Sequence, residues 1–146
     1  MSRKNVQQDC MSKDQNTIKS KLLEYDINPT FQRNEIARVL LSKPQHLSAD
    51  QVLSLVNEND GHVSKATVYN TLKLFVEKGL VREVVIDPAR IFYDSNTSYH
   101  YHYFNEDTGE LYDFESDDMI LNSKSSLPEN TVQSGLDIVV RVKNSA

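Results

Sequence analysis

The sequence predicts an α+β fold, with an N-terminal domain of helices closed by a β-hairpin and a small C-terminal α/β domain after it. Apolar residues recur at helical spacing in four segments between Ile18 and Gly79. Strand-like runs follow on both sides of a turn at 87–90 and again from Tyr99 onward. Residues 1–90 carry 13 basic and 11 acidic side chains, whereas residues 91–146 carry 3 and 10. The acidic charge is therefore concentrated in the second part, which leaves the first part free to approach an anionic partner.

Capping residues mark the starts of the first helices. A short amphipathic helix is predicted over Ile18–Tyr25. Thr30 is placed to cap a second helix over about Phe31–Ser42, and Ser48 with Gln51 forms a capping-box pattern that starts a third. The residues predicted to be buried on these helices are Ile18, Leu22, Leu23, Tyr25, Phe31, Ile36, Val39, Leu40, Leu41, Val52, Leu53, Leu55 and Val56.

The fourth helix is the most informative segment. Ser64 is a favourable N-cap and Gly79 a favourable stop. One face is apolar and carries Val68, Leu72, Phe75 and Val76. The opposite face offers cationic, aromatic and amide groups suited to phosphates and base edges of DNA, namely Lys65, Thr67, Tyr69, Asn70 and Lys73. On a lone helix such a face is more often simply solvated, so the segment that follows decides the interpretation.

That segment reads as a small hairpin. Leu80–Ile86 is predicted to be a strand, Asp87–Arg90 a turn and Ile91–Tyr93 the returning strand. Helices followed by such a hairpin predict a winged helix-turn-helix, with Arg90 at the wing tip, where it would meet a phosphate or the minor groove. The pattern therefore indicates DNA binding.

A set of histidines and aspartates after the hairpin has the spacing of a metal site. His100 and His102 lie two apart in a predicted strand over Tyr99–Phe104, so they project to the same side. A second strand is predicted over Glu110–Phe114, and its Asp113 can reach the pair across the hairpin. Asp94, at the end of the wing, and His46, in a connector over residues 43–46, are further candidates. Each of these features alone has an ordinary explanation; a His-x-His pair, for example, is often a plain surface pair. His62 is interpreted as a loop residue.

Taken together, these motifs resemble the ferric uptake regulator family over about residues 18–114. The segments that carry the resemblance are Asn28–Arg33, His46–Asp50, Ala66–Leu72, Glu77–Val81, Tyr93–Asp94, His100–His102 and Gly109–Phe114. The resemblance implies repression of transcription by a homodimer that binds a palindromic operator in double-stranded DNA. Arg33, in the first of these segments, joins Arg90 and the helix face as an expected DNA contact.

The resemblance also implies one regulatory metal site per subunit, made of three histidines and two aspartates. The matching residues are His46, Asp94, His100, His102 and Asp113. Nitrogen and oxygen ligands without thiolate suit Fe(II) or Mn(II). Asp113 and Asn70 match the peroxide-sensing branch, in which iron-catalysed oxidation yields 2-oxo-histidine at the equivalents of His46 or His100. A sensor of iron or manganese availability in the same family remains the alternative.

The chain departs from the family pattern at its cysteines. The family usually has two C-x-x-C pairs that bind a structural zinc, but the first pair falls on Asn105 and Thr108, and no cysteine follows Val142. A structural four-cysteine zinc is therefore not expected. Residues 135–142 alternate enough to predict another strand, which resembles the family's dimerisation strand. Burying that strand against a second subunit would have to supply the stability that zinc usually gives.

The predicted organisation is a polar tail over 1–14, a winged-helix domain over 15–93, a hinge over 94–98 and a metal-binding, dimerising domain over 99–146. Met1–Asp14 lacks the apolar segment of a secretory signal, Cys10 is the only cysteine, and no stretch approaches the roughly 20 apolar residues that span a bilayer. A cytoplasmic protein without enzymatic activity is expected. A metalloenzyme that uses the His/Asp cluster and a winged-helix protein-interaction module stay as rivals, and metal-dependent DNA binding would exclude both.

Overall fold

The computed structural model describes residues 15–58, 61–98, 100–114, 126–134 and 136–146, and the chain divides into two units between Thr97 and Ser98. The predicted tail over 1–14, with Cys10, lies outside the described residues. The boundaries predicted for the domains and the hinge remain predictions. Among the described residues, no helix is long and apolar enough to cross a membrane.

Four helices are described in the first unit. The starts of the last three follow the predicted caps, whereas the first begins before the predicted Ile18. Helix α1 covers residues 15–24, α2 Phe31–Leu41, α3 Ala49–Val56 and α4 Lys65–Glu77. The Thr30 hydroxyl accepts from the Arg33 amide, and Ser48 forms the predicted capping box with Gln51. The Ser64 hydroxyl accepts from the amide of Thr67 at 3.2 Å and so caps α4. Gly79 follows α4 with φ of 79°, a left-handed conformation that glycine adopts without strain.

The core of this unit lies between the helices, and it corrects three of the predicted burials. Leu22, Ile36, Leu40, Val52, Val68, Leu72 and Phe75 are fully buried. Leu23, Phe31 and Leu55, however, are 58%, 71% and 37% exposed. Leu23 and Leu55 each adjoin a buried residue in sequence, and consecutive helical residues point about 100° apart. Phe31 is the first residue of α2 and lies beyond the edge of the core.

A three-stranded antiparallel sheet completes the winged helix-turn-helix. Strand β1 is His46–Leu47, β2 is Arg82–Asp87 and β3 is Arg90–Asp94, in the order β1-β3-β2. The predicted connector is therefore wrong at its end, because His46 lies in a strand and pairs with Asp94. The predicted strand also begins too early. The amide of Leu80 donates to the Phe75 carbonyl, so residues 80 and 81 form a buried turn after α4.

The described residues of the second unit form a small mixed sheet. Strand β4 is Tyr101–Asn105, β5 is Leu111–Phe114 and β6 is Val139–Val142. The order is β5-β4-β6, with β5 antiparallel and β6 parallel to β4. The strands are shorter than predicted: β4 starts two residues after Tyr99, β5 starts one residue after Glu110, and residues 136–138 precede β6 without being part of it. Tyr99 and Gly135 lie outside the described residues.

Candidate metal centre and nucleic-acid face

The second unit brings three of the predicted metal ligands together. His102 pairs directly with Asp113 across the β4–β5 hairpin. The Nε2 atoms of His100 and His102 each lie 3.2 Å from the same oxygen, Oδ1 of Asp113. Both imidazoles are buried, and their ring centroids are 4.5 Å apart. His100 precedes β4 rather than lying in it, yet its ring faces the same carboxylate. We call these three side chains the His/His/Asp triad.

The hydrogen bond behind His100 fixes which ring nitrogen faces Asp113. Nδ1 of His100 lies 2.7 Å from the carbonyl oxygen of Ser98. A carbonyl oxygen can only accept, so Nδ1 carries the hydrogen, and Nε2 of the neutral ring presents its lone pair to Asp113. A lone pair and a carboxylate oxygen at 3.2 Å repel each other unless a proton or a metal cation lies between them. Metal-binding histidines are commonly oriented in this way, by a hydrogen bond from the ring nitrogen that faces away from the metal to a backbone carbonyl.

The other two predicted ligands form a pair in the first unit. Nε2 of His46 lies 3.1 Å from Oδ2 of Asp94, and their side chains are 11% and 1% exposed. The β1–β3 register sets this contact, because His46 and Asp94 are directly paired. The other carboxylate oxygen of Asp94 accepts from the amide of Asn96 at 2.9 Å. Burial, reinforced by the negative charge of Glu83, raises the pKa of the neighbouring Tyr93 hydroxyl above its ordinary value.

The ligand atoms of the triad and of the His46–Asp94 pair suit a divalent cation of borderline to hard character. In the triad, each residue offers one ligand atom within 4.8 Å of the other two. Two imidazoles with one carboxylate, or one imidazole with one carboxylate, supply nitrogen and oxygen ligands only, as Fe(II) and Mn(II) accept. Each group alone provides too few ligands to fill an octahedral shell.

The predicted DNA-contacting face of α4 is exposed in the first unit. Lys65, Tyr69, Asn70 and Lys73 are all exposed, whereas Thr67 is half-buried and its hydroxyl lies 2.9 Å from that of Ser64. Asp50, from α3, lies close to this face: its Oδ1 is 3.8 Å from Nζ of Lys65 and 3.5 Å from the hydroxyl of Tyr69. A phosphate that meets Lys65 therefore competes with a carboxylate, a contact that the sequence pattern did not predict.

A cleft beside this face joins α2 to α4. It has a volume of about 390 Å³ and is lined by Thr30, Gln32, Arg33, Thr67, Asn70, Thr71 and Leu74. Nη1 of Arg33 donates to the carbonyl of Asn28 at 2.8 Å, which orients the guanidinium. On the wing, Nε of Arg90 lies 2.9 Å from Oδ2 of Asp87, so the turn itself positions this side chain. The predicted DNA-contacting residues thus occupy α4, the start of α2 and the wing.

Comparison with known proteins decides the family. A sequence model of the Ferric uptake regulator family matches residues 24–138. The chain belongs to the ferric uptake regulator family. Among curated relatives, the peroxide-responsive repressor PerR of Staphylococcus aureus strain Mu50 is 34% identical over 94 residues, and that of strain USA300 is 33% identical over 94 residues. The match covers 64% of this chain and 64% of each relative, so the chain spans under two thirds of the length of these relatives.

Solved structures of ferric uptake regulators share the fold. The regulator of Pseudomonas aeruginosa with manganese has a TM-score of 0.68 at 24% identity, covering 87% of this chain and 97% of its own. The Vibrio cholerae ferric uptake regulator also gives 0.68, at 21% identity, covering 86% of this chain and 98% of its own. At these identities the likeness concerns the fold, and it confirms the α+β class predicted from the sequence.

Proposed function

We propose that this chain is a metal-responsive, DNA-binding transcription repressor that acts as a homodimer in the cytoplasm and responds to hydrogen peroxide. The observation that carries the proposal is the distribution of the nitrogen and oxygen ligands. A winged-helix unit contributes the His46–Asp94 pair, and the second unit contributes the triad. An ion that used both groups would therefore link a DNA-binding unit to the rest of the chain.

In this proposal His46, Asp94, His100, His102 and Asp113 bind one Fe(II) or Mn(II) ion per subunit. The convergence of two imidazole nitrogens on one oxygen of Asp113 supports a cation at the triad, as does the absence of any thiolate from the set. The His46–Asp94 pair supports a cation in the first unit, because it holds an imidazole nitrogen 3.1 Å from a carboxylate oxygen. Binding across both units would select one arrangement of the two winged helices of a dimer, and with it one spacing of half-sites on the operator.

DNA recognition is assigned to the exposed face of α4, together with Arg33 on α2 and Arg90 on the wing. Asn70 and Tyr69 have the groups that read base edges, whereas Lys65, Lys73, Arg33 and Arg90 have charges that meet phosphates. The first 90 residues carry a slight excess of basic side chains, in contrast to the acidic remainder. That contrast supports an approach to DNA through the first unit.

Peroxide sensing is supported by the relatives and by two residues. Curated relatives at 33–34% identity are named peroxide-responsive repressors. Asp113 and Asn70 match the peroxide-sensing branch in the resemblance described above. A bound Fe(II) ion would supply the electrons that reduce hydrogen peroxide, and His46 or His100 is the ring expected to gain oxygen. Mn(II) would not supply this chemistry.

Selection of DNA from a random pool tests the repressor proposal. The full chain, loaded with Mn(II) to avoid oxidation, is expected to enrich a palindrome whose half-sites lie about one helical turn, roughly 10 base pairs, apart. The chelated chain should enrich nothing. Enrichment that is equal with and without metal would contradict the metal-responsive part, and failure to enrich any sequence would contradict the DNA-binding part. A response to metal supply but not to peroxide would leave a metal-availability sensor.

A further inference from the structure

Two segments far apart in sequence are joined by hydrogen bonds at one end of the second unit's sheet. Nδ2 of Asn105, the last residue of β4, donates to Oδ1 of Asn144 at 2.8 Å. The backbone amide of Asn144 donates in turn to Oδ2 of Asp107, also at 2.8 Å. These bonds connect the turn after β4 to the residues that follow β6. We call Asn105, Asp107 and Asn144 the polar clasp.

The turn itself determines which way the Asn105 amide points. Its Oδ1 accepts from the backbone amides of Asp107 and Thr108, at 2.9 and 3.2 Å. Its backbone carbonyl accepts from Gly109 at 2.8 Å, and Gly109 has the positive φ that this turn requires. With Oδ1 held by the turn, Nδ2 must point outward, towards Asn144. The turn alone thus orients the Nδ2 donor, which lowers the conformational entropy lost when the clasp forms.

The clasp lies beside the most weakly paired strand of the described sheet. Strand β6 is at an edge, has four residues and pairs only with β4 in the described sheet. Parallel pairing is slightly weaker per residue than antiparallel pairing. Beyond the strands the ladder continues with one bond, from the amide of Glu106 to the carbonyl of Val142 at 2.9 Å. Glu106 also lies 3.8 Å from Arg141 and 3.9 Å from Lys143, but exposed ion pairs of this kind contribute little.

The same pairing reaches the metal triad. The backbone amide of His102 donates to the carbonyl of Ile138, and His102 is in register with Val139. Asn105 lies three residues further along the same strand. A clasp that fixes the far end of the β4–β6 pair therefore also fixes the strand that carries His102. Cys10 is the only cysteine in the sequence, so a thiolate-bound metal cannot cross-link these segments.

We propose that the polar clasp of Asn105, Asp107 and Asn144 holds β6 in register on β4 without a metal and thereby positions His102 in the triad. The clasp is a feature of folding and does not depend on DNA binding. Its effect on metal affinity does rest on the proposed function, because that effect requires the triad to bind an ion.

A double-mutant cycle on the full chain tests the clasp directly. The variants Asn105→Ala, Asn144→Ala and the double substitution are unfolded thermally in the presence of chelator, with circular dichroism as the signal. Asn144→Ala should lower the melting temperature by about 3–8 °C, which is the range for one lost hydrogen bond in a small unit. Asn105→Ala should lower it further, because it also removes the acceptor of two turn amides. The double variant should melt no lower than the worse single variant. Gln133→Ala, which truncates an exposed amide of the same unit, is the matched control and should change the melting temperature by under about 1 °C.

Additive shifts in the double variant, or single shifts as small as the control's, would overturn the clasp. Should Asn105→Ala disturb the turn and fail to fold, Asn144→Ala leaves the turn intact and gives the same test. Asn105→Asp should retain most of the stability, because the Asn144 amide can turn and donate to the new carboxylate.

Titration with Mn(II) at a temperature where every variant is folded tests the positioning role. Asn144→Ala should weaken Mn(II) binding about tenfold, the lower end of what groups that orient a ligand contribute. Unchanged affinity would show that the clasp stabilises the sheet without positioning His102. If the wild-type chain binds no Mn(II), the proposed metal site fails, while the thermal cycle still decides whether the clasp exists.

Discussion

Replacing His46 with alanine should separate metal binding from metal-driven DNA binding. His46 is the one histidine ligand proposed in the winged-helix unit, and Nε2 of its ring lies 3.1 Å from buried Asp94. The change leaves Asp94 and the triad able to hold an ion, so Mn(II) affinity should fall but not vanish. In the wild type, metal should strengthen operator binding by about 5–150-fold, the usual range for coupling between two sites. In His46→Ala that stimulation should disappear.

The structure also predicts a cost in stability, which the assay must hold apart from the loss of coupling. Asp94 loses one partner while it remains buried, and the first unit should lose about 1–3 kcal/mol of unfolding free energy. Operator binding is therefore measured by fluorescence anisotropy at a low temperature, at which circular dichroism shows both proteins folded. Affinity without metal should be equal in the two proteins. His62→Ala is the matched control, because His62 is an exposed histidine of the same unit, and it should keep full stimulation. Normal metal stimulation in His46→Ala would refute the idea that an ion links the two units.

Three further results are expected. Asn70→Ala should relax sequence preference by about 1–3 kcal/mol at one base pair, whereas Lys73→Ala should weaken all sequences alike and reduce the salt slope by about one; equal losses on specific and random DNA for Asn70→Ala would contradict base reading. Strong chelation should abolish operator binding yet leave circular dichroism unchanged, and a chelated chain that unfolds would show the regulatory metal to be the folding metal as well. Asp113→Glu should keep metal-dependent DNA binding but lower histidine oxidation, because the longer carboxylate can bind through both oxygens; oxidation as fast as in the wild type would contradict that reason.

The helices were predictable because their signals are local. A hydroxyl that caps a helix acts within three residues, so Thr30, Ser48 and Ser64 mark helix starts whatever surrounds them. The exposed Leu23 and Phe31 were not predictable from apolar character, since burial depends on which neighbour covers a residue. The ends of the strands were also harder to predict than the starts of the helices. The two-residue strand at His46 exists only because Asp94 and Tyr93 pair with it from almost fifty residues away.

The candidate site shows the same division. The two-residue spacing of His100 and His102 and the hairpin that brings Asp113 opposite them are short-range features, and the structure has all three side chains together. The hydrogen bond from His100 to the Ser98 carbonyl could not be predicted from the residue type, because every residue has a backbone carbonyl. The contact of Asp50 with Lys65 and Tyr69 was missed for a different reason: it joins two helices whose packing angle the sequence does not state.

The peroxide response is the central claim, and mass spectrometry after a brief peroxide exposure tests it most directly. With Fe(II) bound, the peptide that contains His46 or His100 should gain the mass of one oxygen, and operator binding should be lost in parallel. With Mn(II) bound, both peptides should stay unmodified and the chain should stay on DNA. Oxidation of Met119 serves as an internal measure of the peroxide dose. A chain with Fe(II) that remains unmodified and DNA-bound at doses that oxidise Met119 would contradict peroxide sensing.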